Sequence, residues 1–287
     1  MNNFFFSHFD VPIGCATNLI FPGGEVLVQM PQYKFDPAFR YHLTARVQNS
    51  DDLMSLVMLK DAYDRVTSAE LHLFLPYVPY ARQDRVCNPG ESHSLKAFAR
   101  IINSLNFASV TVLDPHSSVV EAVIDRLRVI TQSKIIQNHR TFISHIETLD
   151  QFLFVSPDAG ANKKTADVAK IFSCKRFLRA DKLRDLSTGN IIETVVYEDD
   201  LTGVDVVILD DICDGGRTFI ELARVLKKKN ARRVDLFVTH GIFSQGVENL
   251  LKNGIDRIFT TNSFNFNRKN PTADPRVSVL DVAAFFQ

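Results

Sequence analysis

The sequence contains no tryptophan, only four cysteines among 287 residues, and no excess of either charge. Cys15, Cys87, Cys174 and Cys213 stand far apart and form no CxxC pair. This argues against a cysteine-built zinc ribbon and against a disulfide scaffold, and fits a reducing, cytoplasmic compartment. Lys and Arg number 33, as do Asp and Glu. A chain that neutralises many nucleic-acid phosphates carries a basic excess, so nucleic acid is not an expected partner, whereas a small phosphorylated ligand can be read by local charge. No stretch approaches the ~20 apolar residues of a membrane span. The opening MNNFFFSHFDVPIG has neither the basic segment nor the apolar run of a leader, so no membrane partner is expected. No GxxxxGK[ST] segment is present, which excludes a P-loop.

What is present is ordinary globular material: 45% hydrophobic and 23% charged residues, at a length that fits about two domains. Short apolar runs read as strands at 71–77, 110–115, 152–158, 204–211, 234–241 and 257–263. Amphipathic helical patterns lie at 52–66, 92–105, 117–127, 162–172, 217–229 and 244–253. Buried strands alternating with helices predict an α/β fold with mostly parallel sheets covered on both faces. The length fits two α/β units in tandem, 1–140 and 141–287, with a junction in the polar stretch near 135–150 and the last ~20 residues packing back on the first unit. Several strands end in polar residues: Arg82-Gln83-Asp84, His116, Asp158 and Asp210-Asp211. Ligands of open α/β sheets bind beyond the carboxyl ends of the strands, so these clusters are candidate site residues.

VDVVILDDICDGGRTF (204–219) carries the most chemistry. A buried strand delivers Asp210 and Asp211; Asp214, two glycines, Arg217 and Thr218 follow, and a helix begins. Gly215 and Gly216 let backbone approach a ligand closely. The helix start offers N–H groups and a positive dipole end to a phosphate, with the Thr218 hydroxyl beside them. The acid pair suits sugar hydroxyls or Mg²⁺. Together these parts describe a pocket for a ribose carrying a 5-phosphate.

The segment resembles the ribose-phosphate loop of type I phosphoribosyltransferases and phosphoribosyl pyrophosphate (PRPP) synthetases. Further segments favour the synthetases: PYVPYARQDR (76–85), VLDPHS (112–117), VSPDAG (155–160), FPGGEV (21–26), ADKLRD (180–185) and TTNSF (260–264), in the family's order over most of the chain. The resemblance implies two tandem type I phosphoribosyltransferase-like domains, ATP as co-substrate, Mg²⁺, and transfer of the β,γ-diphosphoryl group of ATP to the anomeric hydroxyl of ribose 5-phosphate with release of AMP. By resemblance, Phe21 and Glu25 hold adenine from a neighbouring subunit, which implies a homo-oligomer, a dimer or hexamer. Arg82, Gln83 and Asp84 belong to the ATP-binding segment. His116 and Asp158 are the implied metal ligands, His116 also on the ATP side. Lys182 and Arg184 belong to a lid over the transferring phosphates, here expected as a charged loop within 175–203. Asp210 and Asp211 hold the ribose 2- and 3-hydroxyls, Asp214 orients the anomeric hydroxyl, and the backbone of 215–218 takes the 5-phosphate.

The match departs from the family at named positions. Gly23 stands where an acid is usual, and RVCNPGESHSL (85–95) replaces a basic run, which weakens the expectation of phosphate activation and ADP inhibition. Gly215 stands for Thr and Arg217 for Gly. Losing a hydroxyl and adding a cation opens a second acceptor, ADP-ribose, with the same chemistry serving NAD salvage. Two other classes stay open: a non-catalytic PRPP-synthetase-like regulatory subunit, and a phosphoribosyltransferase that consumes PRPP.

Overall fold

The computed structural model describes residues 3–8, 11–184, 191–264 and 274–285. The chain forms two compact units. The first holds Met1–Thr131, Ser263–Asn265 and Val282–Gln287; the second holds Gln132–Asn262 and Phe266–Asp281.

The first unit begins with five strands, β1 (Phe4–His8), β2 (Val11–Cys15), β3 (Thr17–Ile20), β4 (Val26–Gln29) and β5 (Arg40–Ala45). Helix α1 (Ser50–Val66), β6 (Glu70–Leu75), α2 (Ser94–Ser104), β7 (Ser109–Leu113), α3 (Val119–Val123) and β8 (Leu127–Ile130) follow. Its six-stranded sheet has the order β2-β1-β5-β6-β7-β8. The pairs from β5 to β8 are parallel, and β1 and β2 add an antiparallel edge. Helix α1 starts where Asn49 accepts from the Asp52 N–H at 2.9 Å, an N-cap that satisfies one of the orphan donors of the first turn. Helix α2 buries Leu95, Phe98, Ala99 and Ile102, the spacing of a single helical face. Strands β3 and β4 form a separate hairpin, with Phe21, Gly24 and Glu25 in its turn.

The second unit contains α4 (Gln132–Asn138), α5 (Arg140–Glu147), β9 (Phe152–Ser156), α6 (Asn162–Ile171), β10 (Leu178–Arg184), β11 (Ile191–Val196) and β12 (Asp205–Cys213). It closes with α7 (Arg217–Lys228), β13 (Arg233–Gly241), α8 (Val247–Lys252), β14 (Arg257–Thr261) and β15 (Val277–Leu280). The seven-stranded order is β11-β10-β9-β12-β13-β14-β15, parallel except for the β10–β11 pair. Strands β12 and β13 are its centre and are buried almost throughout, which is why VVIL and LFV read as unbroken apolar runs rather than alternating ones. Helix α7 buries Phe219, Ile220, Leu222, Ala223 and Leu226 on one face.

Mostly parallel α/β architecture in both units agrees with the expectation from sequence. Three local expectations change. The helix foreseen over 117–127 stops at Val123, and LRVI forms β8 after a turn in which Arg126 takes φ 54°. The polar stretch near 135–150 is helical, as α4 and α5. The charged stretch 175–203, foreseen as a loop, contains the antiparallel pair β10–β11.

At Gly216 glycine is demanded twice. It precedes α7 at φ +80°, and a Cβ there would come within 2.8 Å of Leu250 Cδ2. Gly216→Ala is expected to lower stability by about 1–3 kcal/mol, read as a fall in the urea midpoint at an unchanged slope.

Candidate active site

Strand β12 ends beside β9 and β13 in the middle of the parallel sheet, so its last residues emerge at the carboxyl edge where such sheets bind ligands. Asp211 is 5% exposed, whereas Asp210 and Asp214 are half-buried. The Asp210 carboxylate accepts from the Asp211 N–H at 2.9 Å. Buried Gln132 donates its amide N–H to the Asp210 carbonyl at 2.6 Å and to Thr239 Oγ1 at 3.5 Å, fixing the strand end. Lys164 of α6 places its ammonium 3.5 Å from Asp211 Oδ2. The carboxyl of Asp210 is pushed well above its ordinary value, first by burial, then by the charge of Asp211, with Asp158 adding to it.

Asp158 follows β9 and accepts from the Ala161 N–H at 3.2 Å, capping the turn that leads into α6. The segment around it thus folds as a capped helix entry, with the charge of Asp158 also felt at Asp210.

Beyond β12 the chain passes through Asp214, Gly215 and Gly216 into α7. Its N-cap residue, Gly216, has no side chain with which to cap it, and the first N–H groups and positive dipole end of a helix suit an anion. Gly215 carries no side chain; Gln245 Cγ and Ser244 Oγ border the place where its Cβ would stand, at 3.7 and 3.8 Å. Thr218 is half-buried in the first helical turn. Arg217 lies on the outer face, 79% exposed, and its guanidinium donates to Glu221 Oε1 at 2.7 Å one turn along. Lys182 and Arg184 occupy backbone positions in β10 opposite Thr194 and Ile191 of β11; the placement of their side chains lies outside the described residues.

In the first unit, Arg82 and Gln83 are exposed in the segment after β6, where the Gln83 N–H donates to the Tyr80 carbonyl at 2.9 Å and Tyr80 takes φ 62°. Asp84 is buried, and Arg85 donates to both its oxygens at 2.8 and 3.3 Å. That guanidinium, with Ser117 and the nearby His116 adding to it, holds the Asp84 carboxyl at about 2. Asp84 therefore serves to anchor its own loop. His116 is exposed after β7. Phe21 and Glu25 are exposed at the turn of the β3–β4 hairpin, where the Phe21 N–H donates to the Glu25 carbonyl at 2.9 Å.

Sequence reasoning missed Lys164, Gln132 and the loop after β13. Two adjacent lysines on a helix read as a solvated face, and nothing local to 242–246 announces that it lies against Cys213 and Asp214. Among the described residues, no group of three or more His, Cys, Asp or Glu side chains is arranged to hold a metal ion, and no helix is long and apolar enough to cross a membrane.

Comparison with known proteins places these features in a family. Residues 6–105 match the N-terminal domain of ribose phosphate pyrophosphokinase, and residues 190–286 match the phosphoribosyl synthetase-associated domain. The chain is 30% identical to a ribose-phosphate pyrophosphokinase of Agrobacterium fabrum, over 83% of this chain and 76% of that one. It is 28% identical to one of Pyrococcus furiosus, over 91% and 88%. The crystal structure of phosphoribosylpyrophosphate synthetase from Mycobacterium smegmatis has the same fold, with a TM-score of 0.81 at 21% identity, covering 96% of this chain and 89% of the other.

The strain at Asp210 yields a stability prediction. A carboxyl whose value is raised on folding holds its proton more tightly in the folded state, so its contribution is most favourable in acid and is lost as the pH rises through the raised value. Asp210→Asn is therefore expected to melt with wild type below the ordinary carboxylate range near 4. At neutral pH it should melt roughly 2–4 °C higher, as ~1 kcal/mol does in a chain of this size. Thermal melts from pH 3 to pH 8 measure the divergence.

Proposed function

The chain belongs to the ribose-phosphate pyrophosphokinase family, and from that premise we propose that it makes PRPP. The anomeric oxygen of ribose 5-phosphate attacks the β-phosphorus of ATP, the bond from the β-phosphorus to the α,β-bridging oxygen breaks, and AMP leaves with that oxygen. The observation that carries the reading is the pairing of half-buried Asp210 and buried Asp211 with the glycine-capped start of α7 a few residues on. One part accepts from sugar hydroxyls and the other donates to a phosphate, at the two ends of one short loop.

In this reading Asp210 and Asp211 accept from the ribose 2- and 3-hydroxyls, and Asp214 orients the anomeric hydroxyl and receives its proton. The N–H groups of 215–218 and the Thr218 hydroxyl take the 5-phosphate. Arg82 and Gln83 bind ATP phosphates, the guanidinium as a planar bidentate donor. Lys182 and Arg184 offset charge that develops on the transferring group. Phe21 and Glu25 serve an adenine site on a neighbouring subunit; their exposure at a hairpin turn supports a reach beyond their own unit, and the assembly is proposed as a homo-oligomer in the cytoplasm.

Magnesium fits the residues present. Hard carboxylate oxygens gather at the end of β12, and their mutual repulsion at Asp210 is what a cation relieves. Mg²⁺ commonly keeps its waters and substrate phosphates and takes only one or two protein ligands; His116 is the candidate in the first unit and Asp158 the candidate in the second. When bound, it supplies neutralisation of the diphosphoryl charge.

Ribose 5-phosphate is preferred to ADP-ribose because the cation that would read a second phosphate, Arg217, is turned outward onto Glu221. The presence of the whole acid set supports an enzyme over a regulatory subunit.

Purified chain with Mg²⁺ and ATP should release AMP with ribose 5-phosphate and not with ADP-ribose. Turnover with ADP-ribose alone overturns the acceptor, and AMP release with neither overturns the activity. Lys182→Ala should lower kcat by two orders of magnitude or more while leaving the melting temperature within a degree or so, because a lid cation acts chiefly in the transition state. Retention of kcat within a few-fold removes Lys182 from that role.

A further inference from the structure

The loop that follows β13 runs beside the ribose-phosphate loop and is bound to it through backbone. Cys213 and Gly241 are register partners at the ends of β12 and β13. The Ile242 and Phe243 N–H groups donate to the Cys213 carbonyl at 2.8 and 3.1 Å, and the Ser244 N–H donates to the Asp214 carbonyl at 3.2 Å. The turn closes on itself where the Gly246 N–H donates to the Phe243 carbonyl at 2.8 Å. Phe243 takes φ 47°, unusual for an aromatic residue, while its ring is buried and fills the space where a Cβ on Gly241 would stand. Residues 244 and 245 are thus presented from a fixed backbone although both are exposed.

Their position relative to Gly215 gives them a role. The nearest atom to an added Cβ on Gly215 is Gln245 Cγ, at 3.7 Å, ahead of Ser244 Oγ at 3.8 Å. The side chain of residue 245 borders the space that a side chain at residue 215 would enter. Gln245 ends in a carboxamide with two N–H donors, and among the described residues no protein group engages it. A donor at that place adjoins the backbone N–H groups at the start of α7, where an acceptor phosphate would lie.

Resting on the proposed function above, we infer that the Gln245 carboxamide contacts the 5-phosphate of the acceptor and helps set acceptor specificity, a contact supplied by the β13 loop across the gap at Gly215. Its chemistry is that of a neutral N–H donor to a phosphomonoester oxygen.

Calorimetric titration with ribose 5-phosphate, beside steady-state kinetics, tests this. Gln245→Ala should weaken binding by about tenfold, as loss of a hydrogen bond to a charged group does. Gln245→Glu, nearly the same shape with an acceptor anion in place of a donor, should weaken it further. KM for MgATP should stay within twofold in both, and Gln245→Asn should recover part of the loss. Ribose 5-phosphate binding within twofold of wild type in both the Ala and Glu variants overturns the inference, and so does a parallel rise of both KM values, which marks a structural role. Wild-type protein that binds no ribose 5-phosphate overturns the acceptor assignment itself, a result distinct from either.

Discussion

Like charge crowded at the carboxyl end of a buried strand is the constraint on which the second unit turns. Two unit charges about 4 Å apart repel by ~4 kcal/mol at an effective dielectric of about 20, and burial adds to the cost. Asp210 shows the consequence as a carboxyl raised by burial, by Asp211 and by Asp158. A sheet optimised for stability alone would place an apolar pair there, as it does with Ile208 and Leu209 just before. The acids are tolerated because the strand end is held from several sides: by parallel partners β9 and β13, by Gln132 on the Asp210 carbonyl, and by Lys164 on the Asp211 carboxylate. Strain held by a rigid surround is characteristic of sites that await a ligand, and a sugar hydroxyl or a cation is the kind of ligand that relieves this one.

Charge in the first unit is handled differently. Asp84 is more deeply buried than Asp210, but its neighbour Arg85 engages both oxygens and holds the carboxyl at about 2. One carboxylate is engaged by a guanidinium within its own loop; the other shares a side-chain hydrogen bond with Asp211, accepts from the Asp211 N–H and feels the charges of two acids. Desolvation acts on both carboxyls, and the sign of the nearest charge decides which way each is shifted.

Much of this was legible in order of residues, for identifiable reasons. The run VVIL followed by two acids, two glycines and an amphipathic helix specifies a central parallel strand, a turn and a helix start, and each forms where expected. The first forty-five residues were not legible, because their strands are short, glycine and proline interrupt them, and the β3–β4 hairpin leaves its apolar residues Leu19 and Leu27 exposed. Strand β8 was hidden because LRVI continues an apolar helical spacing from Val119, and only the left-handed turn at Arg126 separates the two. Lys164 and Gln245 were invisible for a different reason. Their roles depend on which strand lies beside which, and no local spacing encodes the neighbour of β12.

The loop after β13 also decides which way the peptides between β12 and α7 point. A trans peptide points its C=O and the next N–H in opposite directions. The carbonyls of Cys213 and Asp214 are turned toward Ile242, Phe243 and Ser244, which donate to them. The N–H groups of Asp214 and Gly215 must therefore point away from that loop. Gly216, at φ +80°, then carries the chain into α7 and itself offers no side chain to the first N–H groups of that helix. Donor orientation at the site thus follows from where the acceptors of the same peptides are consumed, and a residue of the β13 loop can alter anion binding through the backbone even where its side chain contributes nothing.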